Sequence, residues 1–201
     1  MPGPTRGFLG RRARDPRLPP GQYDVGADWP VLTAEVTPHL VPERWTMTVD
    51  GLVEQPRTWS WDELHALPAS EYHGAIHCVT TWSKFDTRFG GVSVDLLLDD
   101  VGVAPEATHV LATSTTGYTT NLPLEHVRGD QAWVVWSFDG QPLPRDHGGP
   151  ARLLVPHLYF WKSAKWVTRL TLLDHDQRGF WERNGYHDLG DPWREQRYTG
   201  D

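Results

Sequence analysis

The chain has 201 residues, a length that fits one large domain. Its net charge is −7 and its only basic stretch spans residues 6–17, so nucleic acid is not an expected partner. No apolar run is long enough to form a membrane segment. The 11 tryptophans and 17 prolines predict a loop-rich fold with aromatic packing.

Residues 1–28 have the composition of an extended N-terminal arm, because arginine, proline and glycine dominate without an apolar period. The pair Arg11-Arg12 matches the start of a twin-arginine export signal. Three prolines between residues 16 and 20 interrupt the segment where the apolar run of such a signal would stand. We therefore expect a cytoplasmic protein with one domain over residues 29–201.

Short elements of both kinds follow the arm. Alternating apolar residues predict a strand over residues 45–49, and the dipeptide Asp50-Gly51 then favours a turn. Residues 60–63 have capping-box spacing and predict a short helix that ends at Pro68. A second capped helix is predicted over residues 93–98.

Further strands are predicted over residues 71–80, 110–113, 131–138, 152–155 and 166–173. The first of these would deliver Cys78 near its end. The aromatic tail, residues 180–198, should pack back on the domain. Because strands and helices do not alternate in a βαβ rhythm, the sequence predicts an α+β fold with mixed sheets and short helices.

Cys78 is the only cysteine, so it cannot form an internal disulfide. It is either a small buried apolar side chain or a thiolate that serves chemistry. A zinc site with His73 and His77 is disfavoured, because His77 and Cys78 point to opposite faces of a strand and no second ligand pair follows. A cysteine nucleophile would need a histidine brought close by the fold, and there are three candidates: His109, His126 and His147.

A second informative stretch covers residues 139–156 and 159–167. It places four cations and a histidine beside glycines, a serine and a turn. Such a cluster can hold a phosphate through charge-assisted hydrogen bonds and exposed backbone N–H groups. The alternative is a solvated basic loop in which Lys162 and Lys165 face water. The first glycine pair of the chain, Gly90-Gly91, is interpreted as an ordinary turn.

Three motifs together resemble the molybdopterin domain of the sulfite oxidase family over residues 29–175: CVTTWS at 78–83, LPRDHGGPAR at 143–152 and WKSAKW at 161–166. The resemblance implies a sulfite oxidase-type fold and a molybdenum-molybdopterin cofactor, with Cys78 as the catalytic thiolate ligand of the metal. It assigns cofactor binding to six further residues: Ser114, His147, Arg152, Ser163, Ala164 and Lys165. The last three would cradle the cofactor's phosphate.

The implied activity is oxygen-atom transfer to or from a small sulfur- or nitrogen-oxygen compound, with the cofactor supplying the redox chemistry. Sulfite itself is disfavoured. No arginine pair follows Cys78 and none stands in residues 29–34, while Trp136 aligns approximately with the active-site tyrosine of sulfite oxidases. The run after Cys78 is closer to the periplasmic methionine sulfoxide reductase branch. Three other cations could supply positive charge: Lys84, Arg88 and Arg145.

The chain resembles a minimal, bacterial-type catalytic subunit, without the haem and dimerisation domains of animal and plant relatives. We therefore expect a monomer that exchanges electrons with a separate partner. Two alternatives stay open at this point. A non-catalytic binding module would retain the fold without molybdenum, and a cysteine-nucleophile hydrolase would need a histidine beside Cys78.

Overall fold

The computed structural model describes residues 15–201, so the Arg11-Arg12 pair and the first half of the predicted arm lie outside the described residues. These described residues contain eleven strands: β1 (Tyr23–Asp24), β2 (Thr46–Gly51), β3 (Arg57–Ser60), β4 (Ser70–His77), β5 (Trp82–Ser93), β6 (His109–Ser114), β7 (Thr119–Pro123), β8 (Trp133–Phe138), β9 (Gln141–Pro142), β10 (Arg152–Leu154) and β11 (Val167–Leu173). The α-helices are α1 (Trp61–Ala66), α2 (Val94–Val101) and α3 (Phe180–Arg183).

The strands form two sheets. The first has six strands in the order β1-β5-β8-β10, with β4 paired to β5 and β9 to β8; the second has five, in the order β3-β2-β11-β6-β7. In the second sheet β11 is parallel to β2 and antiparallel to β6. The predicted α+β class with mixed sheets and short helices is therefore confirmed.

Both predicted helix caps are present. The Ser60 hydroxyl accepts the Glu63 N–H at 3.3 Å, and the Glu63 carboxylate accepts the Ser60 N–H at 2.8 Å, which is a complete capping box. The Ser93 hydroxyl accepts the Asp95 N–H at 3.2 Å at the start of α2. The two helices bury Leu64 and the Leu97–Leu98 pair in a core shared with both sheets.

Strand β5 was missed in the sequence because its glycines were interpreted as a turn, and that interpretation was wrong. Gly90 and Gly91 lie inside β5, where β8 passes very close. A Cβ atom on Gly91 would stand 2.1 Å from the Val134 carbonyl oxygen, so only glycine permits this pairing. Strands β1, β3, β7 and β9 were also not predicted.

Two predicted strands differ in detail. Strand β4 ends at His77, so Cys78 stands just beyond it rather than within it. In β11 a bulge between Val167 and Arg169 breaks the predicted alternation, and Val167 is buried together with Leu170. Trp166, which precedes the strand, has a positive φ of 50°.

Both ends of the described chain contact the sheets. Strand β1 pairs in parallel with the start of β5, and Gln22 is buried. In the tail Glu182 is buried, and its carboxylate accepts a hydrogen bond from Thr120 of β7 and pairs with Lys162. The domain boundary at residue 28 stays a prediction. Among residues 15–201 no helix combines the length and hydropathy needed to cross a bilayer.

A candidate cofactor cleft beside Cys78

A cleft of about 310 Å³ lies beside Cys78. Its walls come from six parts of the chain: residues 29–35, the loop after β4, Tyr118, His147 with Arg152, residues 160–165, and the C-terminal tail through Trp181 and Tyr186. This volume falls at the lower end of the range of small-molecule binding sites. The cleft therefore collects segments that are far apart in sequence.

A tight loop between β4 and β5 delivers the sulfur. The Cys78 N–H donates to the Trp82 carbonyl at 2.8 Å, and the Thr81 N–H donates to the Cys78 carbonyl at 3.0 Å. Thr81 takes a positive φ of 79° to close this loop. From the arm, the Gln22 side-chain amide also donates to the Cys78 carbonyl at 3.0 Å. The loop is thus fixed by its neighbours on both sides.

The Cys78 side chain is mostly buried but lines the cleft, with its Sγ 3.1 Å from the Thr80 hydroxyl. Burial raises the pKa of the thiol, and the Thr80 hydroxyl opposes this effect only in part. The free side chain is therefore a thiol at neutral pH. A metal ion bound to the sulfur would deprotonate it.

Of the histidines near Cys78 in sequence or named as its possible partners, His147 lies in the cleft and His77 lies outside it. His147 lines the cleft and stacks on Trp29 with ring centroids 3.7 Å apart. Burial, followed by repulsion from Arg152, lowers the pKa of His147 to about 4, so its ring is neutral. His77 bonds to Ser83 Oγ at 2.7 Å and lines a separate cavity. Within residues 15–201 no cluster of three metal-ligating side chains accompanies Cys78.

Arg152 is the most deeply buried cation of the cleft, with 1% of its surface exposed. Its guanidinium donates to three backbone carbonyls and lies 3.9 Å from the centroid of the Phe160 ring. No carboxylate forms an ion pair with Arg152 among the residues that the structure describes. Burial lowers its pKa to about 9.

Among the described residues that line the cleft, Lys165 is the second cation without a carboxylate partner. Its ammonium donates to the Asp146 carbonyl at 2.6 Å. Burial and the neighbouring Arg152 charge lower its pKa to about 8. Two cations that repel each other in a half-enclosed cleft favour a bound anion.

Gly148 allows Arg152 and Lys165 to lie close together on one wall of the cleft. It has a φ of +110°, and a Cβ atom there would stand 3.0–3.1 Å from Arg152 and Lys165. Ser163 and Ala164 join the same wall: the Ser163 hydroxyl accepts the Val155 N–H at 2.9 Å, and the Ala164 carbonyl accepts the Leu153 N–H at 2.9 Å. Five of the six predicted cofactor-binding residues thus share one cleft with Cys78.

Ser114 is the sixth and does not line the cleft. Its hydroxyl donates to the Glu35 carboxylate at 3.2 Å and lies 2.6 Å from the Thr116 hydroxyl. Glu35, rather than Ser114, reaches the cleft. The assignment of Ser114 as a cofactor contact stays a prediction.

Trp136 was expected near the position of an active-site tyrosine, and the structure corrects this. It packs against Trp61 and His65 and is absent from the lining of the cleft. The other candidate cations also lie elsewhere. Lys84 donates to the carbonyls of Gly26 and Ala27, Arg145 donates to the Pro38 carbonyl, and Arg88 is near Glu71.

Several lining residues were not predicted from the sequence: Trp29, Glu35, Tyr118, Trp161, Trp181 and Tyr186. Their side chains give the cleft largely aromatic walls. The aromatic richness of the tail was the one signal that pointed to some of them. Their convergence depends on long-range packing that no local pattern encodes.

The residues present fit a ligand with two distinct ends. A cysteine sulfur, a soft ligand, suits a thiolate-bound metal, and the two cations without carboxylate partners suit an anionic group such as a phosphate. Molybdenum-molybdopterin has both ends. The lining of the cleft therefore fits the cofactor that the family resemblance implies.

Comparison with known proteins also points to a molybdopterin-binding protein. The family described as "Oxidoreductase molybdopterin binding domain" matches residues 34–181, and the chain belongs to this family. The resemblance to sulfite oxidase-type enzymes is confirmed. The protein is a molybdopterin-dependent oxidoreductase, and the cofactor of its family is molybdenum-molybdopterin.

Among curated relatives, the oxidoreductase YuiH of Bacillus subtilis is 41% identical over 186 residues, which cover 92% of this chain and 93% of YuiH. The protein-methionine-sulfoxide reductase catalytic subunit MsrP of Gluconobacter oxydans is 30% identical and aligns with 75% of this chain but only 53% of its own length. The sulfane dehydrogenase SoxCD of Paracoccus pantotrophus shares the fold, with a TM-score of 0.64, 24% identity, and coverage of 70% of this chain and 41% of that one.

Proposed function

We propose that this cleft transfers an oxygen atom to or from a small sulfur- or nitrogen-oxygen compound. The observation that carries the proposal is one shared cavity lined by the Cys78 sulfur and by two cations without carboxylate partners, Arg152 and Lys165. The family supplies the cofactor class, and the named relative MsrP acts on methionine sulfoxide by its own description.

In this proposal Cys78 binds the metal, and the basic cluster holds the phosphate of molybdopterin. Arg152 and Lys165 provide the charge, while Ser163 and Ala164 form the wall between them. His147, which is neutral, lines the cleft and stacks on Trp29, would help to hold the pterin through a ring nitrogen. When bound, the cofactor supplies the two-electron redox chemistry. The chain orients it, buries it and balances its charge.

The walls of the cleft favour an uncharged oxide over sulfite. Once Arg152 and Lys165 hold a phosphate, no other arginine or lysine among the described lining residues is free for an oxyanion. The remaining surface is largely apolar, with Leu32, Val79 and the Trp181 ring among its members. An apolar wall binds the organic part of a sulfoxide or N-oxide.

Anaerobic assays of matured protein test this proposal. Sulfoxides and N-oxides would be offered with a reduced viologen dye, and sulfite with an oxidised dye. We expect oxide reduction, together with its loss in Cys78→Ser. Turnover of none of these compounds by fully molybdenum-loaded protein would contradict the proposal, and so would undiminished turnover in Cys78→Ser.

The cytoplasmic location, the monomeric state and the separate electron-transfer partner stay predictions. Cell fractionation and sedimentation of the purified protein test the first two. The hydrolase alternative predicts a metal-independent activity that thiol alkylation abolishes. His147 is the one candidate histidine that shares the cleft with Cys78, and its ring stacks on Trp29.

A further inference from the structure

Glu35 is the only carboxylic acid among the described residues that line the cleft. It stands in a segment without regular structure, where its N–H donates to the Thr33 hydroxyl at 3.1 Å. Its carboxylate accepts a hydrogen bond from Ser114 and is partly buried. The cleft therefore contains a single side chain that can exchange a proton as a carboxyl group.

A chain of hydroxyl groups connects this carboxylate to water. The Ser114 hydroxyl is buried and lies 3.2 Å from Glu35 Oε1 and 2.6 Å from the Thr116 hydroxyl. Thr116 is exposed in the turn between β6 and β7. Both separations are within hydrogen-bonding range. Protons can pass along such a chain when each hydroxyl donates to the next group and accepts from the one before.

The proposed reaction needs a supply of protons to the cleft. Reduction of a sulfoxide breaks the S–O bond, consumes two electrons and two protons, and releases the sulfide and one water molecule. The electrons come through the cofactor from an external donor, such as a reduced viologen. The protons must reach the departing oxygen in a cleft whose walls are largely apolar.

We propose that Glu35 is the proton-carrying residue of the cleft and that Ser114 and Thr116 reload it from solvent. In the reducing direction Glu35 gives a proton to the departing oxygen, takes one from the Ser114 hydroxyl, and Ser114 takes one from Thr116. This inference rests on the proposed function and extends it to a residue of this chain that sequence reasoning had not selected.

The charges around Glu35 agree with this role. Burial raises the pKa of its carboxyl, while the hydrogen bonds from Ser114 and from the Tyr118 backbone, and the attraction of Lys165, lower it by less. Lys165 and the Tyr118 phenol are the titratable groups that face it. Because the pKa lies above the usual glutamic acid value, the acid form persists to a higher pH than in a solvated side chain.

Glu35→Gln tests the inference because it preserves shape and removes the exchangeable proton. We expect sulfoxide reduction to fall about 100-fold, within the usual contribution of general acid catalysis. The wild-type rate should decline as pH rises through the Glu35 pKa, and this decline should vanish in the variant. Glu35→Asp should retain the decline and part of the rate. Glu106→Gln, the same change at an exposed position, should behave as wild type.

Infrared titration gives a second measurement that does not depend on turnover. A carboxyl band should persist above the usual pH range of glutamic acid in wild-type protein and be missing in Glu35→Gln. Equal molybdenum content in both proteins excludes a loading defect. A wild-type rate and pH profile in Glu35→Gln would overturn this inference alone, whereas wild-type protein that reduces no oxide would overturn the proposed function as well.

Discussion

Lys162 and Lys165 stand three residues apart and serve opposite purposes. Lys162 is fully buried, pairs with Glu182 at 2.7 Å, and donates to the Asn121 and Asp188 carbonyls at 2.8 and 2.5 Å. Lys165 lines the cleft, and its ammonium contacts a single backbone carbonyl. The first charge is compensated inside the protein. The second has no carboxylate in ion-pair contact among the described residues, so an anion that enters the cleft can compensate it.

This difference separates structural from functional burial of charge. A buried cation with a carboxylate partner fastens two segments together, here residues 160–162 and the C-terminal tail. A buried cation without one costs folding free energy, and binding of an anion can offset that cost. Four predictions test this distinction, in decreasing order of expected effect.

Removal of the paired cation should have the largest effect. Lys162→Met leaves the Glu182 carboxylate buried without its ammonium, and we expect a loss of about 3–5 kcal/mol in the free energy of unfolding. Urea denaturation measures it. Lys162→Met combined with Glu182→Gln should lose less, because glutamine is neutral and can still accept from Trp161 and Thr120. A double variant as unstable as the single one would contradict the assigned role of the pair.

Removal of the unpaired cation should affect the ligand instead. Lys165→Met deletes one charge-assisted hydrogen bond to the phosphate, worth about 1.5–3 kcal/mol, which corresponds to roughly 10- to 100-fold weaker cofactor retention. Molybdenum and pterin content after gel filtration report it. Arg145→Met, an exposed cation outside the cleft, is the matched control. Equal retention in the two variants would refute the assignment.

The same lysine should produce a pH signature in cofactor-free protein. Its folded pKa of about 8 is below the ordinary value of 10.5, so the unfolded chain binds more protons between these two values. Stability should therefore rise with pH from about 8 to about 10.5 relative to Lys165→Met. Chemical denaturation across this range measures the difference. A constant difference would show that Lys165 is not desolvated.

An exposed ion pair in the tail should have the smallest effect. Arg178 and Asp188 are 2.8 Å apart with 49% and 39% of their side-chain surfaces exposed. Since solvent screens such pairs, Arg178→Ala should leave the free energy of unfolding almost unchanged. Thermal denaturation of the variant and the wild type checks this expectation. A loss as large as that of Lys162→Met would contradict the claim that exposed ion pairs contribute much less to stability than the buried pair.

Local signals predicted much of this molecule. The capping box at Ser60, the α2 cap and most strand positions depend on neighbours in sequence, and they agree with the structure. The motif around Cys78 and the basic cluster also converge as the family resemblance implied. These features could be predicted because short patterns encode them.

Other features depend on contacts between distant segments. Gly91 permits β8 to approach β5, a constraint invisible without knowledge of which strand lies beside it. The Ser114–Glu35 bond joins residues 79 positions apart. Trp136 was placed by an approximate alignment, and its packing on Trp61 takes it away from the cleft. Each of these needed the tertiary fold to be known.

The most direct test of the account is elemental analysis of protein matured in a host that makes molybdopterin, compared with Cys78→Ser prepared in the same way. We predict stoichiometric molybdenum in the wild type and its loss in the variant, with the fold intact by circular dichroism. Molybdenum retained in Cys78→Ser, or absent from the matured wild type, would contradict the assignment of Cys78 as the metal ligand.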